Sequence, residues 1–260
     1  MKRITEMNIH NYEIIYLDTV DSTNTYAMEN ADNEGLNPYN HNLIVADEQT
    51  AGKGRLGRSF ESNKGAGIFA SVVVRPDKKT YDVAGITLVV ALAVQRAFDK
   101  MGIETNIKWP NDIICQGKKL CGILTEMKND GDRVKFVVVG IGINVNNKEF
   151  SGDLEEKATS LYLLQGKTFD RTDILVRVLQ EFNMLYDQYI KNDNLHFMKD
   201  EYNEKLINRG SEVVVEYKNE KKIAIQLGVD DKGVLKVLLD GEKVSITSGE
   251  IKIRGVLGYV

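Results

Sequence analysis

Residues 52–59 read Gly-Lys-Gly-Arg-Leu-Gly-Arg-Ser, three glycines and three cations within one short stretch. The glycines match the pattern G-x-G-x-x-G of dinucleotide-binding folds. They nearly match a P-loop as well, with Arg58 where the lysine would stand. Both motifs require a helix directly after the glycines, because the first free N–H groups of that helix receive the phosphate. Here the chain continues through the turn-forming Phe60-Glu61-Ser62-Asn63-Lys64-Gly65 into a β-branched stretch, residues 68–74, ended by Pro76. A doubly wound nucleotide-binding sheet is therefore set aside. What remains is a loop whose backbone can approach a ligand closely and whose arginine forks suit phosphate oxygens. The alternative, a solvated basic surface loop, gains nothing from packing to offset the repulsion of its charges.

The pattern around this loop predicts a mixed fold. Residues 14–17 read as a first strand. Asp21-Ser22-Thr23-Asn24 follows, placing a Ser or Thr to cap a helix over residues 25–31. Residues 43–46 form a short apolar strand. Asp82 heads an apolar helix that stops at Gly102. Its apolar run, residues 83–94, is too short to span a bilayer. Residues 106–127 read as strands around a tight turn near Gly117, and residues 134–145 as a long strand carrying Gly140 and Gly142. Residues 170–190 form an amphipathic helix, with Ile174, Leu175, Val178, Leu179, Phe182, Leu185, Tyr186 and Tyr189 on one face. Near Gly210 the pattern changes to short alternating strands. Turn signals separate them at Lys218-Asn219, Asp231-Lys232-Gly233, Asp240-Gly241 and Ser248-Gly249. The expected fold class is α+β: a mixed or antiparallel sheet packed with helices over residues 1–208, then a small β-barrel domain over residues 209–260.

Charge and special residues remove several function classes. The net charge is −4, against a broad nucleic-acid-binding surface. The opening MKRITEMNIHNYEII lacks the apolar core of a signal peptide. Two cysteines, Cys115 and Cys121, suit a reducing cytoplasm, and the three histidines, His10, His41 and His196, are scattered. Neither a zinc site nor Cys–His catalysis has a basis in this pattern.

Two further segments stand out. Ile107-Lys108-Trp109-Pro110-Asn111-Asp112 holds the only tryptophan and one of three prolines. Pro110 ends a strand and favours an extended Trp109. A cation, an aromatic face and polar side chains meet there, yet a core tryptophan at an ordinary strand exit fits equally. In Gly140-Ile141-Gly142-Ile143-Asn144, glycines inside a strand mark either a bulge or the close approach of a ligand.

Taken together these segments resemble one family. Asp21 to Asn24, Glu48-Gln49-Thr50-Ala51 with the basic loop to Arg58, Lys108 to Asp112, Lys118-Lys119-Leu120-Cys121-Gly122-Ile123-Leu124, and Gly140 to Asn144 are similar, in order and spacing, to the motif series of the biotin–protein ligases. The likeness runs from about residue 14 to the C-terminus, where Gly249-Glu250-Ile251-Lys252-Ile253-Arg254 resembles the end of that family's small C-terminal domain. The resemblance implies a biotin/lipoate ligase-like catalytic domain followed by an SH3-like barrel. It implies an enzyme that forms biotinyl-5'-AMP from biotin and ATP and passes biotin to a lysine of a biotin carboxyl carrier domain. Mg2+ would accompany the ATP.

By motif position, Ser22, Thr23, Asn24, Gln49, Gly52, Lys53 and Gly122 resemble biotin-binding residues. Lys119 resembles the lysine at the biotin carboxyl and adenylate linkage. Arg55, Arg58, Lys108, Trp109, Asn111 and Asn144 resemble residues on ATP and the adenylate. Asp112 resembles a carboxylate that positions the acceptor lysine, so Lys119, Asp112 and Arg55 are the expected catalytic set. Lys53 stands where many relatives carry Arg, which keeps the charge but loses the fork. The resemblance favours a cytoplasmic enzyme without a DNA-reading domain, since only 20 residues precede Asp21. An open sheet edge could pair two copies as a homodimer. Lipoate or octanoate ligases and a non-catalytic biotin-binding regulator are the alternatives.

The implied chemistry suits the residue types. An anionic carboxylate must approach a polyanion, and two like charges about 4 Å apart repel by roughly 4 kcal/mol at an effective dielectric near 20. Cations on a close-approaching loop offset this without any catalytic histidine. A glycine loop over residues 50–65 that folds across the adenylate would also keep water from the mixed anhydride.

Overall fold

A computed structural model describes residues 12–32, 36, 41–80, 83–192, 194–217, 220–247, 252–255 and 260. In chain order the first sheet and its helices are β1 (Tyr12–Val20), α1 (Thr23–Asn30), β2 (His41–Gln49), β3 (Gly67–Val74), α2 (Ile86–Lys100), β4 (Asn106–Lys108), β5 (Asp112–Cys115), β6 (Lys118–Asp130) and β7 (Arg133–Asn144). After them come α3 (Leu161–Gln165), α4 (Arg171–Asn192) and α5 (His196–Lys205). The seven strands are ordered β1-β2-β3-β7-β6-β5-β4. Only β1 and β2 run parallel; the other neighbours are antiparallel.

Side-chain alternation assigns the two faces of this sheet. Leu43, Val45, Val72, Val74, Val137 and Val139 join the main core with α2 and α4. Ile44, Val73, Phe136 and Val138 point the other way and pack with Ala27 of α1. Every residue of β3 is buried, because helices cover both of its faces. That double cover is why Gly-Ile-Phe-Ala-Ser-Val-Val-Val shows no polar alternation.

The local differences from the sequence reading have local causes. α1 begins at Thr23, with Ser22 as its N-cap, but no side chain caps it. The Thr23 N–H donates to Gln49 instead, and its hydroxyl lies between Gln49 Oε1 and Ser71 Oγ. α2 begins at Ile86, and Asp82 lies outside the described residues. α3 and α5 are additional helices. α5 buries only Met198, Tyr202 and Asn203, too few positions to impose a clear apolar period.

The C-terminal sheet comprises β8 (Glu212–Tyr217), β9 (Glu220–Val229), β10 (Leu235–Leu239), β11 (Glu242–Ile246) and β12 (Lys252–Gly255). Its order is β11-β10-β9-β8-β12, antiparallel throughout. The turn signals at Lys218-Asn219 and Ser248-Gly249 lie outside the described residues. Ala224, Val229, Leu235, Val237 and Ile246 share one apolar core with Trp109, Leu88 and Leu195 of the first sheet's layers. The Trp109 indole N–H donates to the Gly233 carbonyl at 3.3 Å, tying the two sheets together. Among the described residues no helix is long and apolar enough to cross a membrane.

Candidate active site

The site is built on a part of the sheet where three neighbouring positions, Gly122, Gly140 and Gly142, have no side chains. In register, Gly122 of β6 faces Gly142 of β7, and Leu124 faces Gly140. On the other side of β7, Ser71 and Phe69 of β3 pair with Gly140 and Gly142. These positions continue the Phe136–Val138 alternation, so they open on the α1 face. The ladders run through Gly140 and Gly142 without a register shift, so the sequence's suggestion of a bulge is not met. The glycines instead admit the protein's own side chains. A Cβ on Gly140 would overlap the Asn24 amide. One on Gly142 would lie 2.7 Å from the Phe60 ring, and one on Gly122 would lie 2.8 Å from Lys119 Cε and Nζ.

Neutral hydrogen-bonding groups gather over this floor. The start of α1 is held against β2, with Thr23 N–H donating to Gln49 Oε1 at 2.9 Å. The Thr23 hydroxyl lies 3.1 Å from the same oxygen. Asn24 Nδ2 donates to the Leu124 carbonyl at 3.1 Å and to Glu126 Oε2 at 2.8 Å. Ser22, Thr23, Asn24, Gln49, Phe60, Phe69 and Ala70 thus line a cleft enclosing about 460 Å³, its open mouth included.

The basic loop forms the other end. It turns back on itself through an antiparallel Lys53–Ser59 bridge, with Gly54 N–H donating to Arg58 O at 2.7 Å. A 3-10 turn at Arg55–Gly57, with Gly57 at φ +72°, fills the tip, so no helix follows the glycines. Arg55 Nη1 donates to Asn111 Oδ1 at 3.0 Å, and Asn111 Nδ2 donates to the Ile123 carbonyl. Arg58, Leu56 and Glu126 line an adjoining cleft that shares Lys53, Gly54, Arg55 and Leu124 with the first. The result is one continuous depression, neutral at one end and cationic at the other.

Three charged groups on β4 to β6 complete it. Lys119 Nζ is 2.7 Å from Asp112, and lies over the Phe60 ring. Lys108 pairs with Asp112 in the β4–β5 register. Burial pulls the Lys108 ammonium down to about 8. Asp112 opposes the shift, while Lys119, Arg58 and Arg254 add to it. Burial likewise lowers Arg55, again against Asp112, though a guanidinium stays charged. Burial pushes the Cys121 thiol up, which leaves it inert.

Of the residues singled out in the sequence, Ser22, Thr23, Asn24, Gln49, Lys53, Arg55, Asn111, Lys119 and Gly122 line the main cleft and Arg58 the adjoining one. Gly52 sits beside Gln49, where a Cβ would be 3.0 Å from Nε2. Asp112 joins through its ion pair with Lys119. Trp109 and Asn144 stand apart from both clefts. Trp109 is buried against Gly233, and Asn144 donates to the Thr159 carbonyl at 3.0 Å. Phe60, Phe69, Leu124 and Glu126 were not anticipated. Period two along β6 would have found Leu124 and Glu126, which share a face with Gly122. Among the described residues no group of three or more His, Cys, Asp or Glu side chains could hold a metal ion.

Known proteins resemble this chain over most of its length. Residues 16–144 match the profile of the biotin/lipoate A/B protein ligase family, and residues 210–254 that of the biotin protein ligase C-terminal domain. The bifunctional ligase/repressor BirA of Bacillus subtilis is 37% identical over 245 residues, covering 92% of this chain and 74% of its own. The biotin–[acetyl-CoA-carboxylase] ligase of Mycobacterium tuberculosis is 33% identical, over 80% of this chain and 77% of its own. The structure of the Aquifex aeolicus biotin protein ligase in complex with biotin and ATP superposes with a TM-score of 0.79. It is 31% identical and covers 93% of this chain and 98% of that one.

Proposed function

The chain belongs to the biotin/lipoate A/B protein ligase family, and we propose that the two-ended cleft is where it joins biotin to AMP and hands the biotinyl group to a carrier lysine. The ligase activity follows from the family. The observation that carries the placement is that a neutral hydrogen-bonding end and a cationic end share Arg55, Lys53 and Leu124. A bicyclic urea with a carboxylate tail suits the first end, and a triphosphate suits the second.

In the first step a biotin carboxylate oxygen bonds to the α-phosphorus of ATP, and the bond to the leaving pyrophosphate breaks. Lys119 would hold the carboxylate near its Asp112 partner, and Arg55, fixed by Asn111, would hold the α-phosphate. Arg58, Lys53 and Lys108 would offset the remaining phosphate charge. Preorganised cations act where charge develops, and excluding water strengthens them. In the second step the acceptor amine attacks the acyl carbon, the bond to AMP breaks, and the amine loses its proton. Asp112 would attract and orient that amine.

Magnesium fits as a companion of the triphosphate, an ion commonly held by one or two carboxylates together with phosphates and water. Glu126, which lines the adjoining cleft, and Asp112, beside Lys119, would be the carboxylates to hold it. It would neutralise phosphate charge when bound. The acceptor we propose is the biotin carboxyl carrier domain of a carboxylase.

Biotin-dependent exchange of labelled pyrophosphate into ATP tests the reading, with lipoate and octanoate as parallel substrates. Exchange with biotin alone is the expected result. Exchange only with another acid would move the chain to the lipoate branch of the family. Biotin binding without exchange would remove the catalytic roles given to Lys119 and Arg55.

A further inference from the structure

Ser71 lines neither cleft. It is fully buried on β3, beneath the start of α1. Its hydroxyl nonetheless touches two residues of the neutral end. The Ser71 and Thr23 hydroxyl oxygens are 2.8 Å apart, and Ser71 Oγ is 2.7 Å from Asn24 Oδ1.

Counting protons fixes the direction of these bonds. Asn24 Nδ2 faces the Leu124 carbonyl and Glu126 Oε2. The carbonyl can only accept, so the Asn24 amide is oriented with Oδ1 toward Ser71. That oxygen can only accept too, so the single Ser71 proton goes to Asn24. The Thr23 proton then has two inward acceptors, Ser71 Oγ at 2.8 Å and Gln49 Oε1 at 3.1 Å, and the shorter contact, which Ser71 cannot supply with a proton of its own, takes it. Gln49 Oε1 keeps the Thr23 backbone N–H, which turns Gln49 Nε2 away from Thr23. The chain of donation runs one way, from Thr23 to Ser71 to Asn24 to Glu126. Gly140 is the bare backbone that lets Asn24 lie across the sheet to complete it.

We infer that Ser71 and Glu126 are positioning residues that set the donor–acceptor polarity of the biotin end: they commit the Thr23 proton inward, so that Thr23 offers the ligand lone pairs only. A hydroxyl in that state selects a ligand N–H, such as a ureido N–H, over a ligand acceptor. The inference rests on the placement of biotin beside Thr23 given above.

The test compares pyrophosphate exchange by wild type, Ser71→Ala, Ser71→Cys and Thr23→Val, with biotin and with a biotin methylated on a ureido nitrogen. Ser71→Ala is expected to raise KM for biotin about tenfold, the worth of one hydrogen bond in a buried network, and to leave KM for ATP unchanged. Its preference for biotin over the methylated analogue should narrow, because the Thr23 proton, no longer held by Ser71, is left to the longer contact with Gln49 Oε1 and to the ligand side. Ser71→Cys fills nearly the same volume with a weak donor and should move both quantities the same way. It keeps the test valid if the alanine variant folds poorly. Equal losses with biotin, analogue and ATP would mean general loosening and overturn the inference. An unchanged preference would do the same. If Thr23→Val leaves KM for biotin unaltered, the placement of biotin beside Thr23 fails, and the inference with it. If Thr23→Val impairs biotin but the Ser71 variants do not, only the inference fails.

Discussion

The two ends of the cleft use glycine for opposite reasons. On the floor, Gly122, Gly140 and Gly142 sit in regular strand conformation, and what they lack is a Cβ that would strike Lys119, Asn24 or Phe60. In the loop, Gly57 has open space where a Cβ would go, but a φ of +72° that side chains disfavour. The floor needs room and the loop needs conformation. The chemistry divides along the same line. On the proposed reading the floor would recognise biotin through fixed hydrogen bonds, and the loop would recognise phosphate through charge.

The largest effect should come from filling the floor. In Gly140→Ala the new methyl meets an Asn24 amide already held by Ser71, Leu124 O and Glu126, so it cannot yield without breaking that network. A cost of about 3 kcal/mol is expected from overpacking and lost hydrogen bonds. That corresponds to a fall on the order of a hundredfold in kcat/KM for biotin, with KM for ATP little changed. If ATP suffers equally, the two ends are not separate recognition surfaces.

Removing charge from the loop should rank next and fall on the other substrate. Arg55→Ala removes the donor to Asn111 Oδ1 and, on the proposed reading, the cation at the α-phosphate. Charge-assisted hydrogen bonds are worth about 2 kcal/mol, so KM for ATP should rise roughly thirtyfold and the adenylate should escape faster. Release of biotinyl-AMP, followed by chromatography of the filtered reaction, is the direct reading. Retention equal to wild type would assign the phosphate contact to Arg58 instead.

This division explains what was legible in the sequence. The loop could be read because its cations and glycines are contiguous, and because the absence of a following helix is itself a local pattern. The sheet could be read from apolar runs such as Leu43 to Ala46, which the structure extends to His41–Gln49, and Val134 to Val145, which it matches within one residue at each end. The floor could not be read. Gly122 and Gly142 become neighbours only through the β6–β7 register, and Asn24 reaches Gly140 from a helix more than a hundred residues away. Trp109 is a second such case. Its place beside Lys108 and Asn111 left a ligand contact and a core position equally open, and the strand exit turns its indole toward Gly233 of the C-terminal sheet. Whether a strand-end aromatic faces a ligand or a second sheet is decided by tertiary packing, which short-range pattern does not encode.

A third effect, smaller again, should appear with pH and only on the charged end. Burial holds the Lys108 ammonium near 8, so its charge is lost as pH rises from 7 to 9. If the charged form is the one that assists the triphosphate, KM for ATP should climb about tenfold across that interval, one decade per pH unit once above the pKa, while KM for biotin stays level. Stability should move the other way. Between about 8 and the ordinary lysine value of 10.5 the unfolded chain holds a proton that the folded protein has released, so this group makes folding more favourable as pH rises. A KM increase that tracked unfolding would contradict the assignment. Lys108→Arg, charged throughout, should flatten the ATP profile.

The smallest effect tests the comparison most directly, because it makes the same chemical change as the largest. Gly57→Ala also adds one methyl, but into open space. Its only cost is holding alanine at φ +72°, about 1 kcal/mol. The strain belongs to the loop turn between Arg55 and Arg58, so it should appear as a rise of a few-fold in KM for ATP, with KM for biotin and thermal stability near wild type. An asparagine at the same position tolerates left-handed backbone better than alanine does and should recover much of the loss. A loss at Gly57 as deep as that at Gly140, unrelieved by asparagine, would mean that a ligand or the acceptor protein approaches the loop backbone there. The loop glycine would then be serving space, as the floor glycines do.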